Sequence, residues 1–359
     1  MPALLDLRLS PPATGRFAPR FDAPPRSRAR GPQPALASDA PAMAGLFADV
    51  YGHDSSHPAV DPAFIRTSLA AGDAWVVVRR AGRIVGCAAV RATGWAGVAE
   101  LGCLVIDPRH RGSRLAMPLM ERALQAAAAA GDVGLLFARH RSEAMVRKTQ
   151  QLETMQLHLT GHDGGIDLAG GRPEAHGTSV GLGTGTQIRA ALPAGHPLTE
   201  LEGMLPWLAR AGQGTVAWPD DVTVGPSGTR PRSADDPAPR PDIDPLTGAA
   251  VIPPVQASST GSALRWLAAV LGQLDEARVV TAYVLADKVE LIAASAALGL
   301  RPTAWLPAWY EHDGHRLDCV MLTRAAAVAD EALPGPAGEW ERRLAQALQP
   351  ATVPASQAC

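Results

Sequence analysis

Arg109, His110, Arg111 and Arg114 crowd around one glycine, Gly112, in the stretch VIDPRHRGSRLAMPLM. The stretch opens as an apolar run ending at Asp107-Pro108 and closes with helical spacing, so the basic residues fall where a strand hands over to a helix. Such a junction leaves backbone N–H groups without partners, and the aligned peptide dipoles add partial positive charge there. Phosphate binds well to that arrangement. Gly112 lets backbone approach an anion closely, Ser113 can cap the helix or donate, and Arg111 and Arg114 would add charge-assisted bonds. The plain alternative is a solvated basic loop.

These residues need a frame. APAMAGLFADVYG (40–52) has helical spacing with Met43, Leu46, Phe47 and Val50 on one side and Asp39 as N-cap. AWVVVRRAGRIVGCAAVRAT reads as two strands about an Ala81-Gly82 turn, and GVAELGCLVIDP as a third strand. SRLAMPLMERALQAAAAAG is a helix with Leu115, Leu119, Ala123 and Leu124 inward, stopped by Gly131. With Ser113 as its N-cap, Pro118 would lie beyond the first turn and delete a hydrogen bond, unless the helix starts later. DVGLLFAR is a further strand and SEAMVRKTQQLETM a further helix. The order implies an α/β fold, a mixed sheet with helices on its faces. Further on, SALRWLAAVLGQL is a helix, ARVVTAYVLA a buried strand, and DKVELIAASAALGL a helix capped by Asp287 and ended near Gly299. TAWLPAWYEHDGHRLDCVMLTR then makes a hairpin through Asp313-Gly314. Within it Trp305, Trp309 and Tyr310 either line a pocket or pack a core.

Composition narrows the function classes. Lys plus Arg is 33 and Asp plus Glu 35, so no global field favours nucleic acid or an anionic membrane. Anion binding must be local. The four cysteines, Cys87, Cys103, Cys319 and Cys359, form no C-x-x-C pair, which argues against a metal site or disulfide framework and suits a reducing compartment. The start MPALLDLRLSPPATG lacks the order of a secretion signal, so the expectation is a soluble, cytoplasmic chain. GLGTGT (181–186) lacks the Lys-Ser/Thr ending of a nucleotide loop.

The run AELGCLVIDPRHRGSRLAMPLMERAL resembles the coenzyme A site of the Gcn5-related N-acetyltransferases (GNAT), which carry R/Q-x-x-G-x-G/A after the fourth strand. The matching residues are Arg111, Gly112, Ser113, Arg114, Leu115 and Ala116, with Arg114 in place of the central glycine. That departure is harmless if residue 114 has helical dihedrals and damaging if the loop demands positive φ. The resemblance implies that acetyl-CoA is the co-substrate, without a metal. It further implies that the fourth strand splays from the fifth, with pantetheine paired to the backbone of Leu104, Val105 and Ile106. In some members a glutamate at the place of Glu100 takes the proton of the attacking amine through water. Partly buried among apolar neighbours, Glu100 would have a raised pKa suited to that task; the plain alternative is a strand-start glutamate facing solvent. Many members reprotonate the CoA thiolate with a tyrosine after the fifth strand. HRSEAMVRKTQQLETMQLHLTGHDGG has none, leaving His140, His158 and His162 as titratable alternatives.

The C-terminal hairpin resembles the same family's closing hairpin, but no R-x-x-G-x-A precedes it, so a tandem form with a degenerate second unit is expected. The expected division is a Pro/Arg-rich tail (1–34), an acyl-CoA-binding domain (35–190), a degenerate unit (191–325) containing a Pro-rich linker or surface excursion (222–261), and a C-terminal helix and tail (326–359). The implied reaction moves an acetyl group to the amine of a small molecule or peptide, the second unit shaping the acceptor site or a homodimer contact. Two rivals stand beside it. One is a non-catalytic module that senses acyl-CoA or scaffolds a partner. The other is nucleic-acid binding through the arginines, which near-neutral charge and the lack of interleaved aromatics disfavour.

Overall fold

The computed structural model describes residues 31–53, 57–131, 133–141, 145–163, 176–183, 188–244, 247–325 and 336–349. Most of the Pro/Arg-rich tail, the second half of GLGTGT and the last residues lie outside them. In chain order the first half contains β1 (Gln33–Pro34), α1 (Ala40–Tyr51), α2 (Pro62–Ala70), β2 (Ala74–Arg80), β3 (Arg83–Ala92), β4 (Val98–Ile106), α3 (Ala116–Ala130), β5 (Leu135–Arg141), α4 (Met145–Thr154), β6 (His158–His162) and β7 (His176–Leu182). The second half adds β8 (Ile188–Ala190), β9 (Gly212–Gly214), β10 (Asp221–Val224), β11 (Arg232–Ser233), β12 (Ala249–Val251), β13 (Val255–Gln256), α5 (Thr260–Leu271), β14 (Val279–Leu285), α6 (Val289–Ala294), β15 (Arg301–His312), β16 (His315–Ala325) and α7 (Pro336–Ala347).

The strands build one mixed sheet in the order β1-β2-β3-β4-β5-β7-β6-β15-β16-β14-β10-β13-β11. Period-two alternation sorts its two faces. Val76, Val78, Ala88 and Val90 pack under α3, whereas Trp75, Val77, Cys87 and Ala89 pack under α1 and α2. The hairpins turn through Ala81-Gly82 and Asp313-Gly314, each pair with consecutive positive φ, as two-residue turns between twisted strands require. The three strands β14, β16 and β15 stand in mirror order to β5, β7 and β6, so the two halves meet edge to edge at β6 and β15.

That joint is narrow. Gly161 of β6 pairs with Ala304 of β15, and a Cβ at Gly161 (φ 144) would overlap the Thr303 carbonyl oxygen and the Ala304 backbone. A second tie comes from Arg316, whose buried guanidinium donates to the carbonyl of Ala96 in the β3–β4 loop (2.6 Å) and to those of Ala308 and Trp309 (3.3 Å each).

Several local expectations change. The segment 222–261 is not a bare linker: β10, β12 and β13 fall inside it or at its edge and extend the sheet beyond β14. Asp287 does not cap α6, whose N-cap position is Lys288; the Asp287 carboxylate accepts from Lys288 Nζ instead. Asp39 occupies the N-cap of α1, but its carboxylate accepts from the Leu36 N–H and pairs with Arg79. The α2 helix was not expected; Asp61 caps it by accepting from the Ala63 N–H (2.7 Å), with Pro62 in the first turn.

Candidate active site

Strand β4 is paired fully on one side and only partly on the other. Against β3 its register runs from Ala92↔Ala99 to Gly86↔Ile106, while against β5 it covers only Val98↔Leu135, Ala99↔Leu136 and Glu100↔Phe137. Beyond Glu100 the parallel strands diverge, and one edge of Leu101 to Ile106 faces no strand among the described residues. Cys103 interrupts β4 with φ 52, opposite a register shift between Cys87 and Ala89. This bulge reverses the strand's parity: Ala99 and Leu101 face α3, whereas Val105 packs under α1. The three residues Leu104, Val105 and Ile106 therefore lie on the splayed edge, where backbone N–H and C=O groups are free to pair with an extended ligand.

The basic turn follows directly. Pro108 to His110 form one 3₁₀ turn; Arg111 is extended, Gly112 has φ 81 and Arg114 has φ 56. The central position of the glycine motif thus demands left-handed backbone, and Arg114 adopts it at a cost of about 1–2 kcal/mol. Helical dihedrals at 114 are excluded. The helix starts at Ala116 with Leu115 as its N-cap, not at Ser113, whose hydroxyl donates to the His110 carbonyl. Pro118 is then the third helical residue, where its missing N–H would have had no partner anyway. The N–H groups of Gly112, Arg114, Leu115, Ala116 and Met117 find no backbone partner among the described residues. A Cβ at Gly112 would meet nothing within 4 Å, so the turn opens to solvent. Arg109 is tied back to Asp107 by two side-chain bonds (3.0 and 2.7 Å), which hold that carboxyl down at about 2. Arg111 and Arg114 are exposed and remain available.

Glu100 lies at the last β4–β5 pair, on the face away from α3, and is 9 % exposed. One carboxylate oxygen accepts from Arg91 Nη2 at 2.5 Å and the other from Arg139 Nε at 3.0 Å. Burial acts to raise its pKa, but the two guanidinium groups outweigh burial and leave it lowered. The expected rise is therefore reversed, because its neighbours are two arginines rather than apolar side chains alone. Beside this cluster a cavity of about 300 Å³ opens between the halves, bordered by Glu100, Phe137, Arg139, Asp163 and Thr178 from the first and by Tyr283, Leu306 and Trp309 from the second. Trp95 stands edge-on to Tyr283 (4.9 Å) and Trp309 (5.9 Å), and Phe137 edge-on to Trp309 (5.2 Å).

The sequence missed Arg91, Arg139, Thr178 and Tyr283 at this place. Alternation along β5 was the available signal, since Phe137 and Arg139 point to the Glu100 face. Of the aromatic trio, Trp309 lines the cavity and Trp305 is packed, its indole N–H donating to Asp318 at 3.1 Å. The histidines separate. His140 is buried on β5 beside Ser179 (3.2 Å), His162 faces Glu341 of α7 (3.4 Å), and burial lowers the pKa of His158. Burial pushes the Cys103 thiol up to about 12, so it is not a thiolate nucleophile. No His/Cys/Asp/Glu group among the described residues could hold a metal, and no helix there is long and apolar enough to cross a membrane.

No curated protein matches the chain. Among solved structures, a ribosomal-protein-alanine N-acetyltransferase from Brucella melitensis is 16% identical, covering 42% of this chain and 98% of its own at a TM-score of 0.37. A putative acetyltransferase from Salmonella typhimurium, solved with its cofactor acetyl-CoA, is 17% identical over 42% of this chain and 92% of its own (TM-score 0.37). A phosphinothricin acetyltransferase from Sinorhizobium meliloti, in complex with acetyl-CoA, is 17% identical over 44% and 91% (TM-score 0.38). The model of the acetyltransferase (GNAT) family matches residues 41–149, from α1 into α4, and so spans the splayed strand, the basic turn and Glu100. Residues 41–149 form an acetyltransferase domain of the GNAT family.

Proposed function

We propose that the protein is an N-acetyltransferase that moves the acetyl group of acetyl-CoA to a primary amine. The observation that carries this reading is the opening of β4 away from β5 directly above a turn with free N–H groups, both inside the matched segment. The donor set fits the co-substrate. Free N–H groups at Gly112 and Arg114 to Met117, with the guanidinium groups of Arg111 and Arg114, suit a diphosphate. The open edge of Leu104 to Ile106 suits the amide-bearing pantetheine arm. Bound there, acetyl-CoA supplies an activated acyl group on a good leaving group.

The chain's residues then manage position and protons. The acceptor's amine nitrogen bonds to the acyl carbon, the carbon–sulfur bond breaks, and the sulfur leaves as a thiolate that takes up a proton. The amine loses one N–H proton to Glu100, directly or through water. A carboxylate with a lowered pKa cannot strip a free ammonium efficiently, so the acceptor must enter as neutral amine. As the carbon–nitrogen bond forms, the nitrogen gains positive charge and its N–H becomes acidic enough for a weak base. A backbone N–H at the Cys103 bulge would polarise the acyl oxygen. The test is thiol release from acetyl-CoA across a panel of primary amines. Amine-dependent release supports transfer, and acetyl-CoA binding with no release from any amine would refute it.

A further inference from the structure

We propose that the cavity between the two halves is the acceptor pocket and that it selects a primary amine carried on an uncharged, aromatic or branched apolar body. This rests on the acetyl-transfer reading above. The wall of the cavity is aromatic, and both halves build it: Trp95 and Phe137 come from the first, Tyr283 and Trp309 from the second. Trp95 meets Tyr283 and Trp309 edge to face, and Phe137 meets Trp309 in the same way. Phe137 and Tyr283 are only partly buried, so ring surface remains for a ligand to cover. Burial pushes the Tyr283 hydroxyl up to about 12, so that wall stays neutral.

The charged groups at the cavity are already matched to one another. Glu100 accepts from Arg91 with one oxygen and from Arg139 with the other. Asp163 faces Arg139 (3.7 Å) and the His176 ring (3.5 Å), and accepts from the His176 backbone N–H (3.1 Å). The Trp309 indole N–H and the Thr178 hydroxyl are closed off from solvent, out of a ligand's reach. A ligand carboxylate would find no uncommitted donor among these groups, and a second ammonium no uncommitted carboxylate. Either charge would lose its water without compensation. Ring surface is what the walls leave open, and about 300 Å³ lies at the small end of small-molecule sites, room for one ring or branched chain on a short arm. Glu100 sits at both the cavity and the strand divergence, which puts the amine end beside the acyl group and the apolar body against the rings.

One buried side chain holds the walls together. Arg316 donates to the carbonyl of Ala96, next to Trp95, and to the carbonyls of Ala308 and Trp309. The loop that carries Trp95 is thereby tied to the strand that carries Trp309. A Cβ at Gly97 would overlap the Arg316 guanidinium, so the tie is closely packed. A larger pocket of about 430 Å³ at the end of α3 is lined mainly by alanine and glycine and does not reach Glu100. It offers no comparable chemistry.

The experiment compares phenethylamine and isoamylamine with phenylalanine, leucine and spermidine. Transfer and calorimetric binding are measured for wild type, Tyr283→Phe and Tyr283→Ala, with melting temperatures to confirm folding. The expected result is kcat/KM at least about tenfold higher for the two monoamines than for the amino acids or spermidine (about 1.4 kcal/mol). Tyr283→Ala should raise KM for phenethylamine about tenfold with acetyl-CoA affinity unchanged, whereas Tyr283→Phe, which keeps the ring, should change it by less than about twofold. Equal or better use of the amino acids or spermidine overturns the proposal, as does an equal loss in the two variants or no loss in Tyr283→Ala. The comparison of acceptors needs no variant, so it decides even if Tyr283→Ala fails to fold. If no amine is acetylated, calorimetry separates the two readings. Phenethylamine bound by wild type more tightly than phenylalanine or spermidine sustains the pocket while transfer fails; the absence of that preference sinks the pocket.

Discussion

At the residue scale, Arg114 and Glu100 carry most of the tension between motif and structure. Arg114 holds left-handed backbone where the family motif has glycine, costing about 1–2 kcal/mol, while glycine would pay about 0.5–1 kcal/mol in chain entropy. Arg114→Gly should therefore stabilise the unliganded protein by no more than about 1.5 kcal/mol, read by chemical denaturation. The same change should weaken acetyl-CoA binding and flatten its salt dependence, because a cation at the turn is lost. Glu100 makes a prediction in pH. Its folded pKa is lowered from 4.5, so its stabilising contribution is full above about 4.5 and disappears as pH falls through the lower folded value. Between about pH 6 and 9 transfer should rise with the fraction of neutral acceptor amine, with no limb from Glu100. A rate limb near pH 6 to 7 that persists when the acceptor's own pKa is changed would mean that another group is the base. Glu100→Gln should lower kcat by about 10²-fold or more; an unchanged kcat in a folded variant removes Glu100 from the chemistry.

At the element scale, the β15 bulge at Ala308 is held by a buried clamp on Asp318. Asp318 is fully buried and accepts from Arg189, Trp305 and the Ala308 N–H. Asp318→Ala leaves the buried Arg189 guanidinium with the Glu202 carboxylate alone and orphans the Ala308 and Trp305 N–H groups, and should cost about 3–5 kcal/mol, measured by denaturant unfolding. A loss under about 1 kcal/mol would mean that the bulge holds without its clamp. Much of this level was legible beforehand. Alternating valines in AWVVVRR and IVGCAAV, with Ala81-Gly82 between them, prescribe the β2–β3 hairpin, and Asp313-Gly314 prescribes β15–β16. Helix α2 escaped because it is short and its only fully buried apolar side chain is Ile65. The helix start at Ala116 escaped because Ser113 looks like an N-cap, and only the backbone shows its hydroxyl turned to His110. The Glu100 cluster escaped because Arg91 and Arg139 come from different strands, and pairing across a sheet is not written in the spacing of either one.

At the scale of the whole molecule, the two halves share one sheet and one cavity, so the second half need bind no coenzyme to matter. The joint at Gly161 and Ala304 has no room for a side chain. Gly161→Ala should destabilise the protein by forcing β6 and β15 apart, seen as a lower melting temperature. An unchanged melting temperature would show that the halves tolerate separation. A pH term belongs here too. Burial lowers the pKa of His196, which bonds Ala286 (2.9 Å), so the unfolded chain binds a proton more readily below about 6.5. Stability should therefore fall as pH drops through 6.5, before the Glu100 contribution is lost.

The most direct measurement is a titration of the full chain with acetyl-CoA, followed by thermal unfolding, for the wild type and Gly112→Asp. At about a hundred times the dissociation constant, bound acetyl-CoA stabilises the wild type by roughly 2.7 kcal/mol. The variant, with a carboxylate and a side chain placed at the left-handed centre of the turn, should show no such shift while remaining folded. No stabilisation of the wild type, or an equal shift in the variant, would mean that the turn from Arg111 to Ala116 does not hold the diphosphate.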